Sequence, residues 1–206
     1  MTRLSSLPAI MVAPNGARRG KADHPALPVT IAETVAAAKA CHDAGAGALH
    51  AHVRDGDGNH VLDAGLYAEL LAEMARVVPD MAVQITTEAV GRYTPAQQRA
   101  LMGALHPDGI SIGLREMLAD GQIADARRAY HAAAEAGISV QHILYAPEDV
   151  SELAAQIKAG VIPQTRPQVI FVLGRYTSGQ QSDPADLAAY LAKLAQLPAG
   201  ADWALC

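Results

Sequence analysis

A short apolar run followed by a longer amphipathic segment recurs along this chain, and that alternation limits the fold more than any other feature. The apolar runs fall at 9–13 (AIMVA), 47–53 (GALHAHV), 81–87 (MAVQITT), 108–114 (DGISIGL), 138–145 (ISVQHILY), 168–174 (QVIFVLG) and 201–206 (ADWALC). Helix-length segments separate them. Thr30-Ile-Ala-Glu33 reads as a capping box opening the first helix, which runs to about Gly45. Thr94-Pro95-Ala-Gln97 opens the third with a cap and a proline at the first helical position. Further helices are expected at about 63–77, 122–136 and 148–159, and from Asp183-Pro184 to a point before Pro198, with Gly137 as a C-cap.

Apolar strands joined by helices make a parallel sheet with right-handed crossovers. An open doubly wound sheet and a closed barrel both satisfy that rule. The open sheet usually carries a glycine-rich fingerprint after its first strand, whereas this chain has APNGARRG there. Chemistry-bearing residues follow several different strands, which favours the barrel. The expectation is an α/β chain of the (β/α)8 TIM-barrel type, a single domain over 1–206 that is incomplete and C-terminally truncated: seven strands, with the eighth βα unit absent. Such a barrel would leave an open sheet edge, so either the chain is shortened or a neighbouring subunit covers the gap. A homo-oligomer is therefore expected.

The chain has 206 residues, 50% of them hydrophobic, enough for one sizeable core, and a net charge of −5 with no basic run. That balance argues against a nucleic-acid partner. No apolar segment is long enough to span a membrane, and the N-terminal run before Pro14 is too short for a secretory signal. Cys41 and Cys206 are the only cysteines and form no CxxC, so a cytoplasmic location with reduced thiols is expected.

The stretch 47–55, GALHAHVRD, concentrates the chemistry. Residues two apart in a strand face the same side, so His50 and His52 project together near a strand's C-terminal end. Two neutral imidazoles side by side suit a divalent metal, zinc before others, because imidazole is a borderline ligand and an open three-ligand site is zinc's catalytic form. The same spacing also fits two core histidines, each hydrogen-bonded to a carbonyl. Arg54 at the strand mouth is placed to grip a carboxylate or to pair with Asp55. Asp57, Gly58 and Asn59 read as a turn, with His60 exposed beyond it.

These residues resemble the β-keto acid cleavage enzyme family, typified by 3-keto-5-aminohexanoate cleavage enzyme. The resemblance rests on HPALPVT with Glu33 beyond it, AGAGALHAHVRD, QITTEAVG, and FVLG with its continuation. It implies a zinc-dependent barrel that reacts a β-keto acid with acetyl-CoA, releasing acetoacetate and a new CoA thioester. It carries His50 and His52 over as zinc ligands, and Thr86 as lining the substrate site. Arg54 and Glu88 are the catalytic candidates. Asn15 and Gly16 are the candidates for binding a substrate oxygen through a turn. A metal-dependent hydrolase on the same barrel, or an inactive shortened barrel, are the rival readings.

Two departures from the family stand out. Arg18 occupies the slot where the best-known members have a glutamate in the first loop. An arginine cannot act as a base, although it can bind a carboxylate or a CoA phosphate. The family's RVGxED-like motif, which carries its third zinc ligand, has no counterpart in these 206 residues. Glu116, with Glu88 the acidic residue nearest the proposed site, also reads as a helix-start carboxylate; His142 reads as a core histidine; and the VLGRYTSGQ segment with Arg175 reads as a site for CoA phosphates or pantetheine, or as a flexible loop.

Overall fold

The computed structural model describes residues 4–174, 179 and 181–206; Arg175 lies outside them. The first half of the chain forms β1 (Met11–Val12), α1 (Ile31–Asp43), β2 (Ala48–Ala51), β3 (Val53–Arg54), β4 (His60–Val61), α2 (Ala64–Val77), β5 (Ala82–Thr86) and α3 (Pro95–Ala104). The second half adds β6 (Gly109–Gly113), α4 (Leu114–Met117), α5 (Ile123–Glu135), β7 (Ser139–Leu144), α6 (Pro147–Lys158), β8 (Gln168–Phe171), α7 (Leu187–Leu194) and β9 (Asp202–Leu205). A turn of 3₁₀ helix, Pro184–Asp186, leads into α7.

Seven strands form one sheet in the order β1-β2-β5-β6-β7-β8-β9, every adjacent pair parallel. The order follows the chain, as successive right-handed crossovers require. Both expected capping boxes are formed: Thr30 with Glu33 at α1, and Thr94 with Gln97 at α3. Helix α2 starts on Asp63, whose carboxylate accepts the Leu66 amide at 2.8 Å.

Strand alternation sorts the side chains. Leu49, Ile85, Ile112, Leu144 and Phe171 are wholly buried and point out of the sheet toward the helices, where the main core lies. Each such side chain contributes about 1.5–3 kcal/mol by leaving water. The alternate positions, His50, Gln84, Ser111 and Gln141, turn to the concave side and line a cavity. The sheet is curled into a half-barrel, because residues of both end strands, Met11 and Trp203, line that same cavity. Among the described residues β1 and β9 do not pair.

The N-terminal segment crosses the lower rim of the sheet. The Leu4 carbonyl accepts from Ser139 Oγ at 2.6 Å and Gln168 Nε2 at 2.7 Å, and the Leu7 amide donates to Asp202 Oδ2 at 2.6 Å. Ser139, Gln168 and Asp202 are the first residues of β7, β8 and β9, so this segment ties three strand starts together. The Leu4 side chain is 2% exposed and packs with Ala48 and Ala82.

Three expectations need correction. The run 47–53 is not one strand: Ala48–Ala51 joins the sheet, and Val53–Arg54 leaves it to pair antiparallel with His60–Val61. The turn between them lies where Asp57, Gly58 and Asn59 predicted. His60, however, is 3% exposed, because the hairpin folds back over the sheet's upper rim and presses the ring against its neighbours. The first strand is also shorter than 9–13, with ladder pairs only at Met11 and Val12.

Candidate active site

The concave side of the sheet encloses a cavity of about 700 Å³. His50, His52, Gln84, Thr86, Glu88, Ser111 and Gln141 supply its polar wall, and Ile143, Ile170 and Val172 an apolar flank. Its chemistry gathers at the C-terminal ends of the strands, where barrel enzymes place theirs.

His50 sits opposite Gln84 in the β2–β5 ladder, and its Nδ1 lies 2.7 Å from Gln84 Oε1. The His50 and His52 rings stand 5.0 Å apart, edge to face, and both line the cavity. His52 Nε2 lies 3.1 Å from Glu88 Oε2, while its Nδ1 is buried with no partner. The His60 ring packs 5.0 Å from His52, and His60 Nε2 reaches the Glu88 carbonyl at 3.0 Å. Burial pushes the His50 imidazole down to about 4, and the neighbouring His52 adds to the shift. Burial also pushes His52 and His60 below the ordinary histidine range, although Glu88 pulls the other way in both. All three rings are therefore neutral at pH 7, the form in which imidazole binds a metal.

Glu88 is held on a shaped loop. Its amide donates to Thr86 Oγ1 at 3.1 Å, and Thr86 Oγ1 also accepts from Ser111 Oγ at 3.0 Å. One residue on, the Ala89 amide donates to Glu116 Oε2 at 2.9 Å, which Gln98 Nε2 also meets at 3.1 Å. Val90 then takes φ +48°, a conformation that a β-branched side chain rarely adopts and that costs about 1–3 kcal/mol. Such strain persists where the surroundings dictate the backbone path, as the Glu116 contacts do here.

The predicted site residues divide into two groups. His50, His52, Thr86, Glu88 and Gly16 meet around the cavity. Asn15 and Arg54 stand behind its wall. The Asn15 side chain is buried and takes the place of a strand neighbour for His52: Nδ2 donates to the His52 carbonyl at 2.8 Å, and Oδ1 accepts the His52 amide at 3.3 Å. Asn15 Oδ1 also takes the Gly16 amide at 2.9 Å, so that N–H is turned away from any substrate. Arg54 donates to three backbone carbonyls: Gly58 at 2.8 Å, Arg19 at 3.0 Å, and Gly16. It pins the first loop to the β3–β4 hairpin.

That geometry gives a discriminating prediction. Arg54→Met leaves the three carbonyls without their charged donor and is expected to lower stability by about 3 kcal/mol, read as a shift in the urea midpoint. A propping role predicts this loss with turnover per folded molecule largely kept. The opposite result, unchanged stability with turnover abolished, would restore the catalytic role expected from the sequence.

Sequence reasoning missed Gln84, Ser111, Gln141, His60 and Tyr145, all but His60 in the cavity wall. The signal was present for three of them: polar residues at alternate positions of otherwise apolar strands. His142 is a core histidine as expected, fully buried with Nε2 2.5 Å from Gln164 Oε1.

Comparison with known proteins adds two kinds of likeness. The sequence profile described as beta-keto acid cleavage enzyme matches residues 9–206. The 3-oxoadipate:acetyl-CoA acetyltransferase of Cupriavidus necator is 33% identical over 103 residues, which is 50% of this chain and 36% of that protein. The 3-keto-5-aminohexanoate cleavage enzyme of Fusobacterium nucleatum is 30% identical over 93 residues, 45% of this chain and 34% of that protein. Each matched stretch thus spans about a third of the relative's length. Among solved structures, type I 3-dehydroquinate dehydratase from Clostridium difficile superposes with a TM-score of 0.62 at 14% identity, covering 96% of this chain and 74% of that one. The 3-dehydroquinate dehydratase of Aquifex aeolicus superposes with a TM-score of 0.54 at 14% identity, covering 85% and 74%. These two likenesses speak to the fold alone.

Proposed function

Because this chain belongs to the beta-keto acid cleavage enzyme family, we propose that it cleaves a β-keto acid with acetyl-CoA, using zinc held by His50 and His52, to give acetoacetate and a new CoA thioester. The observation that carries this reading is the pair of neutral imidazoles lining one cavity of about 700 Å³, with the Glu88 carboxylate beside them. The donor chemistry fits zinc: His50 and His52 are uncharged, and the His52 ring keeps one nitrogen without a partner. Among the described residues no three His, Cys, Asp or Glu side chains form a metal cluster; His50 and His52 are the two that would hold the ion. When bound, zinc supplies a Lewis acid for the substrate's keto and carboxylate oxygens.

Two bonds break: the one joining the keto carbon to the carbon bearing the carboxylate, and the acetyl–sulfur bond of acetyl-CoA. The acyl fragment ends on the CoA sulfur, and the acetyl group of acetyl-CoA ends on the two-carbon acid, completing acetoacetate. The Glu88 carboxylate, 3.1 Å from His52 Nε2, is the group placed to hold and move the proton that this exchange requires. Thr86 and Ser111 hydroxyls orient the substrate's polar end. Ile143, Ile170 and Val172 receive its side group and keep water from it. Asn15 and Arg54 keep His52 and the first loop in place behind them.

A cytoplasmic location agrees with Cys41 and Cys206 both being free thiols, and no helix of the described residues is long and apolar enough to cross a membrane. Self-association and closure of the half-barrel agree with Ile10, Trp203 and Leu205, which are 55%, 41% and 46% exposed beside the gap between β1 and β9.

The test is a panel of β-keto acids offered with and without acetyl-CoA to zinc-loaded protein. Acetoacetate and a new CoA thioester are expected in equal amounts, and only when both substrates are present. Substrate breakdown at the same rate without acetyl-CoA would replace this reading with a hydrolase.

A further inference from the structure

Resting on the reading that His50 holds zinc, we infer that Gln84 and Gln141 form a carboxamide relay that dictates which ring nitrogen of His50 faces the cavity. Gln84 Nε2 donates to Gln141 Oε1 at 3.0 Å, and Gln84 Oε1 lies 2.7 Å from His50 Nδ1. A carboxamide oxygen only accepts. With its nitrogen committed to Gln141, Gln84 presents that oxygen to His50, so the proton sits on Nδ1 and the Nε2 lone pair is left for a cation. Turning Gln84 over alone would set its oxygen against Gln141 Oε1, two acceptors face to face, so Gln141 would have to turn with it.

The register explains how one side chain serves both ends. Gln84 is the ladder partner of His50 on one side and of Gly109 on the other. Gln141 belongs to β7, one strand beyond β6. Gln84 crosses β6 over Gly109: an ideal Cβ there would sit in ordinary contact with Gln84 Cγ, at 3.7 Å, and it is Leu4 Cδ1, at 2.8 Å, that leaves no room for one. Gln84 and Gln141 are 1% and 2% exposed, so bulk water offers little substitute for the bonds between them. Neither glutamine needs to touch the reacting atoms; both are positioning residues, acting through His50 as outer partners of metal-binding histidines do.

The test uses the intact chain labelled with ¹⁵N-histidine and free of metal, with ring tautomers read by NMR and zinc affinity by competition with a chelator. Wild-type His50 is expected to carry its proton on Nδ1. Gln84→Met is expected to shift His50 toward the Nε2–H form and to weaken zinc binding about 10- to 100-fold. Gln84→Glu, which still accepts from Nδ1–H, is expected to keep the wild-type tautomer. Gln141→Met leaves the His50 contact in place but frees Gln84 to turn, so both tautomers are expected; it also serves if Gln84→Met does not fold. A wild-type His50 protonated on Nε2, or a folded Gln84→Met with unchanged tautomer, would overturn the relay. Wild-type protein with the Nδ1–H tautomer but no zinc affinity would support the relay while sinking the zinc reading, so the two failures are told apart.

Discussion

Protein carrying His50→Ala and His52→Ala together is expected to hold no zinc after dialysis and to lose about a thousandfold in acetyl-CoA-dependent cleavage. The magnitude follows from the several kcal/mol that a Lewis acid contributes to a developing negative charge, about 4 kcal/mol here, at roughly 1.4 kcal/mol per factor of ten. Both rings must go, because His50 on β2 and His52 just beyond its end line the same cavity and one remaining imidazole still offers a donor. The fold should survive: the outward residues of β2, Leu49 and Ala51, are untouched and carry its packing against the helices. Circular dichroism and the thermal midpoint check that. Equal zinc in wild-type and double-variant protein would remove these histidines as ligands.

Glu88→Gln should depress kcat by about a hundred- to ten-thousandfold, the usual range for losing a positioned acid–base group, with zinc content unchanged. The substitution is nearly isosteric. A glutamine oxygen still accepts from His52 Nε2, and the backbone bonds from the Glu88 amide to Thr86 and from His60 to the Glu88 carbonyl do not involve the side chain. Loop geometry is therefore preserved while the carboxylate is lost. Measuring kcat and KM separately matters. A rise in KM with kcat intact would mean that Glu88 only shapes the cavity, and the proton-transfer role would fall.

Much of the scaffold could be read locally. The capping boxes at Thr30 and Thr94 lie within four residues of sequence and form as written. The apolar runs became the sheet strands in chain order, trimmed by a few residues at their ends. His50 and His52 both line the cavity, as the HxH spacing suggested, although β2 ends at Ala51 and Asn15 bonds the His52 backbone. Arg54 shows where such reading stops. Its sequence neighbours offered a carboxylate grip or a structural pairing, and the carbonyls at 16, 19 and 58 that its guanidinium reaches are brought near only by the loop and the hairpin.

By itself the sequence determined the alternation of strands and helices, their caps, and the shared face of two imidazoles, since each depends on interactions within a turn or a strand. Only the tertiary structure decided what surrounds those rings. Gln84 stands 34 residues from His50, Glu88 36 from His52, and Asn15 37 from His52. Such partners meet through sheet order, register and the curl that gathers polar positions on the concave side. Those are properties of the whole sheet, set where apolar side chains pack outward against helices and leave the alternate positions facing one enclosed space.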